Sequence, residues 1–113
     1  MREPLELPVE RDSDGYLMDP DDWNPELARL LASEWKGLSL SDDHFAVIDF
    51  MRAWLAERHI VPDVRDVTKF LVDTRGMTKK EAKQYLFELF PHGYMQQGCQ
   101  IAGMRRPRAW SVG

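Results

Sequence analysis

Apolar residues recur every three to four positions through most of the chain, which is the spacing of a helix with one buried face. The first helix begins at Asn24-Pro25, where a capping side chain precedes a proline at the first helical position, and we expect Gly37 to end it. The second runs from about residue 41 to residue 59 and is apolar over more than half of its circumference. We therefore expect it to be the central helix, with Phe50 and Trp54 among its most buried side chains.

Three further helices follow in the second half of the chain. Asp63 caps the third helix, and Gly76 ends it. The pattern Thr78-Lys-Lys-Glu81 is a capping box that opens the fourth helix, and Pro91 stops that helix. A short fifth helix is predicted over residues 93–102.

The N-terminal residues alternate with the period of a strand instead. Leu5-Glu-Leu-Pro-Val9 alternates apolar and polar side chains, and Tyr16-Leu-Met18 follows a turn at Ser13-Asp-Gly15. Pro8 restricts the first strand to a sheet edge. The predicted fold is mainly α: a single-domain orthogonal bundle of about five helices, with a small N-terminal β-hairpin and a C-terminal arm over about residues 104–113.

Composition limits the class of protein. The chain has 113 residues, of which 43% are hydrophobic and 11% aromatic, so it can bury one core and is not a disordered chain. Its formal net charge of −4 argues against a dedicated nucleic-acid binder. No apolar run reaches the ~20 residues of a membrane span, and neither an apolar signal region nor a second cysteine is present, so we expect a cytoplasmic protein.

The candidate chemistry lies near the C-terminus. Cys99 is the only cysteine, and it is followed by a basic segment that holds Arg105 and Arg106. A lone cysteine is most often a small buried residue. Here Gly98 offers little steric cover, the other neighbours are polar glutamines, and the arginines favour the nucleophilic thiolate. We therefore predict an accessible thiol that can act in redox or sulfur chemistry.

The same segment resembles the C-terminal signature of the DsrC/TusE family of sulfur-relay proteins. The matching runs are Leu89-Phe90-Pro91-x-Gly93 and Gln97-x-Cys99-x-Ile101-Ala102-Gly103-x-x-x-Pro107. Weaker matches upstream are Asp14-Gly15-Tyr16-Leu17, Trp23, Leu38-Ser39-Leu40-Ser41 and Arg65. The resemblance implies a small helical protein whose C-terminal arm presents cysteine sulfur to partner enzymes.

One departure from the family pattern concerns the sulfur chemistry itself. Members that carry persulfide use a cysteine next to the C-terminus, eleven positions beyond the site of Cys99, and Trp110 stands there in this chain. Cys99 corresponds to the second, upstream cysteine of members associated with sulfite reduction or sulfur oxidation. Tyr94 also replaces a usual proline.

Two functions from different classes remain. The first is a sulfur carrier of the sulfite-reduction, sulfur-oxidation or tRNA-thiolation type, which acts as a co-substrate rather than as an autonomous enzyme. It accepts sulfur at Cys99 and meets sulfur-donor or sulfur-acceptor proteins, such as a sulfurtransferase complex or a sulfite reductase-like enzyme. The predicted partner-binding residues are Arg105, Arg106, Arg108 and Trp110.

The alternative is a degenerate family member that acts as a regulatory or adaptor protein without transferring sulfur. Residues 63–90 can be interpreted as a helix-turn-helix whose second helix carries Lys79, Lys80 and Lys83 near its start. The acidic total makes DNA an unfavourable partner. The three histidines have no ligand spacing, so we expect neither a metal site nor a cofactor.

Overall fold

Helices make up most of the part of the chain that the computed structural model describes, residues 9–35 and 38–105. Within it, five α-helices occur in the predicted order: α1 Pro25–Ser33, α2 Asp42–Arg58, α3 Val64–Arg75, α4 Lys79–Leu89 and α5 Cys99–Ile101. A 3-10 turn, Pro20–Asp22, precedes α1, and a π-helical turn, Tyr94–Gly98, leads directly into α5. The prediction of a mainly helical fold with about five helices is confirmed. None of the helices in these two ranges has the length and apolar character that a membrane span requires.

Side-chain caps fix where the helices begin, as the sequence predicts. The Asn24 carboxamide oxygen accepts a 2.8 Å hydrogen bond from the amide of Leu27 at the start of α1. Capping boxes open α2, α3 and α4. Gly76 ends α3 in the left-handed conformation, with φ 68°. Because these signals involve residues only three or four positions apart, the sequence pattern locates them well.

The end of α1 differs from the prediction. The helix stops at Ser33, and the amides of Glu34 and Trp35 turn back to the carbonyl oxygens of Leu31 and Ala32. This tighter turn aims the Trp35 indole at the C-terminal part of the chain, where it forms a long-range hydrogen bond. Gly37, the predicted stop, lies outside the described residues.

The prediction that Phe50 and Trp54 are among the most buried residues of α2 is wrong. Both are only partly buried, and the inward face consists of residues at helical spacing, which are His44, Val47, Ile48 and Met51. Phe50 stacks on Phe70 of α3, with 4.5 Å between ring centroids, and the Arg58 guanidinium covers Trp54 at 3.8 Å. Because α2 is apolar over more than half of its circumference, its pattern could not select the buried face.

The centre of the core is the segment Tyr94–Met104, called here the buried C-terminal segment. Every residue from Gln97 to Met104 is buried, and Cys99, Ile101, Ala102 and Met104 have no exposed surface. Met104, the first residue of the predicted arm, is thus a core residue. The rest of that arm beyond Arg105 lies outside the described residues.

The predicted N-terminal β-hairpin is not supported. Residues 9–18 contain one isolated antiparallel bridge, between Arg11 and Leu17, and no strand. The carboxylate of Asp12 accepts hydrogen bonds from the amides of Asp14 (2.9 Å) and Tyr16 (3.0 Å), and these bonds bend the backbone into a tight turn. The turn lies where it was predicted. The amides of Asp12 and Met18 donate across it to the carbonyl oxygens of Tyr16 (2.8 Å) and Glu10 (3.0 Å), but this pairing is too short to form a strand. Residues 5–8 of the predicted first strand are outside the described residues.

Candidate functional site

Cys99 is the first residue of α5 and lies entirely inside the protein. It has no exposed surface, and burial raises the pKa of its thiol to about 12. A neutral thiol without solvent contact is a weak nucleophile, because the thiolate is the reactive form. The predictions of an accessible thiol and of a raised thiolate fraction are therefore wrong for the folded chain.

Gly98, which was expected to leave the cysteine open, does the opposite. A Cβ atom at this position would lie 3.2 Å from Cδ1 of Tyr94 and 3.7 Å from the methyl carbon of Met51. The missing side chain thus lets an aromatic ring and α2 pack closely against the turn that leads to Cys99. Glycine allows close approach of neighbours as readily as it allows access.

The polar neighbours of the cysteine are also buried. Gln97 and Gln100 are 0% and 2% exposed. The Gln100 carboxamide oxygen accepts a 2.6 Å hydrogen bond from the Trp35 indole, and its nitrogen donates to the carbonyl oxygen of Asp14 at 3.2 Å. Gln97 accepts from the amide of His92 at 3.2 Å. Long-range partners make burial of the Gln100 carboxamide possible, and the local sequence does not reveal those partners. The buried Gln97 amide nitrogen has no hydrogen-bond partner among the described residues.

Two side chains from distant elements hold the end of α5, and we call them the Trp23–Arg52 clamp. The Trp23 indole donates a 2.9 Å hydrogen bond to the carbonyl oxygen of Ile101. The Arg52 guanidinium donates to the carbonyl oxygens of Ala102 (2.7 Å) and Pro20 (3.1 Å) and lies 4.3 Å from the Trp23 ring centroid. The clamp satisfies carbonyl groups that a helix end leaves without a partner, and it places a cation at the negative end of the helix.

Gly103 completes the clamp. It has φ 74°, and a Cβ atom there would lie 2.7 Å from the Cβ and Cγ atoms of Trp23. Only glycine fits both the backbone conformation and the contact. The family-like motif around Cys99 therefore includes a position with a clear structural requirement.

Tyr94 ties the start of the buried C-terminal segment to the connection between α2 and α3. Its hydroxyl donates a 2.7 Å hydrogen bond to the carbonyl oxygen of Pro62, and burial raises its pKa. Tyr16 adds a second tie, from its hydroxyl to the carbonyl oxygen of Gln96 at 3.2 Å. Exposing Cys99 thus requires the loss of several specific hydrogen bonds.

Sequence reasoning missed the residues that grip this segment. Arg52 lies among the apolar residues of α2. Its position on the apolar part of the helix surface was the one indication in the sequence that it is partly buried. Glu34 is similarly hidden, with 1% of its side chain exposed, and it accepts hydrogen bonds of 2.7 and 2.9 Å from both terminal nitrogens of Arg11. The partners are too far apart in sequence for any local signal to link them.

The other predicted site residues differ from the buried Cys99, because those that the structure describes are exposed. Lys79, Lys80 and Lys83 are exposed in the first two turns of α4. Arg105 is also exposed, whereas Arg106, Arg108 and Trp110 lie outside the described residues. Among residues 9–35 and 38–105, no group of three or more His, Cys, Asp or Glu side chains is arranged to hold a metal ion.

The chain is similar to named proteins along nearly its whole length. The family described as "DsrC like protein" matches residues 5–110. The sulfurtransferase TusE of Buchnera aphidicola subsp. Schizaphis graminum is 38% identical over 99 residues, which cover 88% of this chain and 85% of the relative. TusE of Escherichia coli strain K12 is 35% identical over 99 residues, with 88% and 89% covered.

Solved structures show the same fold. The NMR structure of DsrC from Allochromatium vinosum has a TM-score of 0.77 and 32% identity, covering 96% of this chain and 98% of that one. The crystal structure of the oxidized gamma-subunit of the dissimilatory sulfite reductase (DsrC) from Archaeoglobus fulgidus has a TM-score of 0.78 and 27% identity, with 89% and 90% covered.

Proposed function

The chain belongs to the DsrC-like family and is a sulfur-relay protein of sulfur metabolism, and from that premise we propose that Cys99 is its sulfur-accepting thiol. The observation that carries the proposal is that the chain has one cysteine, located in the segment that matches the family signature. No other side chain can form a persulfide or a disulfide. Sulfur that becomes covalently attached to this protein must therefore pass through Cys99.

The proposed step is a persulfide transfer. The Cys99 thiolate attacks the outer sulfur of a donor persulfide, a new S–S bond forms at Cys99, and the donor cysteine leaves as a thiolate. The thiol proton passes to solvent, and no net oxidation takes place, so no oxidant is needed. The protein then serves as a co-substrate that carries one sulfur atom to an acceptor, rather than as an autonomous enzyme.

This step requires a local opening of the fold that exposes Cys99, because the folded chain keeps the thiol buried and neutral. We propose the Trp23–Arg52 clamp as the point of release, since its bonds to α5 end on Ile101 and Ala102, two and three residues after the cysteine. A partner that competes for these carbonyl oxygens would free the end of α5. Burial would then protect the carrier from unwanted oxidation between encounters.

The proposed partners are proteins that give or take sulfur. Relatives carry the names sulfurtransferase TusE and gamma-subunit of dissimilatory sulfite reductase, and we propose partners of these two kinds here without choosing between the pathways. Arg105, Arg106, Arg108 and Trp110 would dock the arm on the partner. A cytoplasmic location is part of the proposal, because a single reduced thiol suits a reducing compartment.

Intact-mass spectrometry tests the proposal. The native protein is incubated with a protein persulfide donor, and we expect the addition of one sulfur atom, 32 Da, to wild type and none to Cys99→Ser. Arg52→Ala, which loosens the clamp, should take up sulfur faster. If neither wild type nor Arg52→Ala gains sulfur while both remain folded, Cys99 does not accept sulfur and serves only as a core residue. The protein then acts as a regulator or adaptor without sulfur transfer.

A further inference from the structure

One face of α4 combines an exposed aromatic ring with unpaired cations. Phe87 is 66% exposed, more than the other large apolar side chains of the described residues. At about 100° per residue, Lys80 and Lys83 project within roughly 40° of Phe87 around the helix, whereas Glu81 and Glu88 lie about 100° or more away. We call the three residues Lys80, Lys83 and Phe87 the Phe87 patch.

Single exposed apolar residues are common, so the ring alone would carry no conclusion. The charges around it are the second observation. Within the described ranges, ion pairs engage Lys69 with Asp73 and Arg75 with Asp43, but none engages Lys79, Lys80 or Lys83. In the part of the chain that the structure describes, three lysines without an ion pair thus lie on the same helix as the exposed Phe87 ring.

The patch borders a groove between α3 and α4. The groove has a volume of about 660 Å³. Charged residues of both signs line it together with Thr68 and Val72: Arg65, Lys69, Lys79 and Lys83, and Asp63, Asp66 and Asp73. Lys83 therefore belongs to both the patch and the groove, and the surface continues from the exposed Phe87 ring into a partly apolar depression. An exposed ring beside a depression with a charged rim is a shape that a protein partner can match.

We propose that the Phe87 patch docks the protein with which this chain exchanges sulfur, through an acidic surface that surrounds an apolar pocket for Phe87. The proposal rests on the proposed function for the identity of the partner and on the charge of the patch for its chemistry. Phe87 provides the anchor, and Lys80 and Lys83 steer the encounter and select an acidic rim. The patch lies on α4, a different helix from α5, which begins with the proposed sulfur-accepting residue Cys99.

A protein fits these features better than a nucleic acid does. A phosphate backbone that followed the groove would run past the carboxylates of Asp63, Asp66 and Asp73, whereas a protein surface can place its acids on Lys80 and Lys83 and leave the groove free. An aromatic residue at the centre of a helix face also suits a pocket in a protein better than a duplex groove read by hydrogen bonds. A second copy of this chain, which has several exposed acids between residues 10 and 26, is the other occupant to be tested.

The test measures binding and sulfur transfer separately. The probe is a purified sulfurtransferase that carries a cysteine persulfide, labelled for anisotropy. We expect Phe87→Ala to weaken its binding at least about tenfold, and Lys83→Glu to weaken it by several fold with a smaller salt dependence. Ile60→Ala is the matched control for an exposed apolar residue, because Ile60 is 62% exposed. Arg29→Glu, on α1, is the matched control for the charge change.

Two further variants keep the failure of this proposal distinct from failure of the sulfur chemistry. Cys99→Ser should bind the sulfurtransferase normally and accept no sulfur. Phe87→Ala should accept sulfur normally from a small persulfide, such as glutathione persulfide, which needs no docking surface. If wild type does not bind the sulfurtransferase, or if Phe87→Ala and Ile60→Ala bind it equally well, the patch is not the docking surface.

Two other results would also overturn the proposal. Duplex DNA of 30 base pairs that binds wild type at physiological salt, and binds Lys83→Glu weakly, would assign the cations to nucleic acid. Sedimentation that shows a dimer of wild type and a monomer of Phe87→Ala would assign the patch to self-association. We expect wild type to be a monomer that binds the duplex no better than Lys83→Glu does.

Discussion

The guanidinium of Arg52 donates a 2.7 Å hydrogen bond to the carbonyl oxygen of Ala102, fifty residues further along the chain. This contact joins the middle of α2 to the end of α5, only three residues after Cys99. A hydrogen bond from a charged donor typically contributes about 1.5–3 kcal/mol. The position of the cysteine inside the protein therefore depends on a residue that the motif around it does not include.

Arg52→Ala should lower the free energy of unfolding by about 2–4 kcal/mol, because two carbonyl oxygens lose a charged donor. Urea denaturation measures this change. Arg58→Ala is the matched control on the same helix, since Arg58 also covers a tryptophan ring, at 3.8 Å from Trp54, yet it is exposed. We expect Arg58→Ala to lower the free energy of unfolding by about 1 kcal/mol or less. Equal costs for the two variants would show that the ring contact, rather than the bonds to the backbone, stabilises the fold.

Gly103→Ala should destabilise the protein by about 2–4 kcal/mol, since it adds a clash with Trp23 to an unfavourable positive φ. Gly76→Ala is the matched control. Gly76 has nearly the same φ, 68° against 74°, but a Cβ atom there would meet nothing within 4 Å. Gly76→Ala should therefore destabilise the protein only through backbone strain, by about 1 kcal/mol. Thermal unfolding of both variants separates the two contributions, and similar losses would mean that Trp23 moves aside at little cost.

The sequence predicted those features of the fold that depend on near neighbours. The starts of α1 to α4 and the Gly76 stop follow from side chains within four positions of the backbone groups they cap. The buried face of α2 could not be predicted, because too much of that helix is apolar. The N-terminal turn was placed correctly, but it is held by the Asp12 carboxylate and by two backbone hydrogen bonds across the turn, and no strand forms.

Cys99 as the site remains a prediction from the sequence, and the environment predicted for it was wrong. The motif directed attention to Cys99, and the glutamines beside it suggested solvent. Both glutamines are buried, and Gln100 bonds to Trp35, 65 residues earlier, and to Asp14, 86 residues earlier. Contacts at such separations follow from tertiary packing, and the composition of the neighbouring residues does not indicate them.

His44 should make stability depend on pH in the weakly acidic range. It is buried, with its Nε2 atom 2.7 Å from the carbonyl oxygen of Leu89 and its Nδ1 atom accepting from the amide of Ser41 at 3.0 Å. Burial lowers its pKa below the ordinary value of 6.5, despite the opposing effects of the Leu89 bond and of Asp43. The unfolded chain thus binds a proton before the folded chain does. Stability should fall as the pH drops below about 6.5, by at most about 1.4 kcal/mol per pH unit.

Denaturation at pH values from 8 to 5 measures this loss, and His44→Gln is the comparison. Glutamine suits the third helical position of a capping box, so the variant keeps the local cap of α2 while removing the titrating group. The variant should show a flatter pH dependence than wild type between pH 6.5 and 5. If the two curves run parallel, another group is responsible for the acid sensitivity.

Cys99 should react with alkylating reagents only when the buried C-terminal segment opens. Its pKa of about 12, against an ordinary 9.0, leaves about a thousandfold less thiolate in the folded chain at pH 8, and the folded chain also shields the sulfur from reagent. We therefore expect native alkylation by iodoacetamide to be at least about a thousandfold slower than alkylation in urea, as measured by intact mass. Above pH 9 the opened form gains stability by releasing the thiol proton, so opening should become easier as the pH rises from about 9 toward about 12.

The Arg52→Ala variant tests how the buried C-terminal segment opens. If release of the Trp23–Arg52 clamp limits the exposure of Cys99, Arg52→Ala should raise the native alkylation rate by the same factor by which it favours opening, while Arg58→Ala leaves the rate unchanged. Hydrogen exchange at the amides of residues 99–104 should accelerate in parallel. A wild-type rate within about tenfold of the rate in urea would contradict the buried thiol. If Arg52→Ala leaves both alkylation and exchange unchanged, Cys99 becomes exposed by some motion other than release of the end of α5.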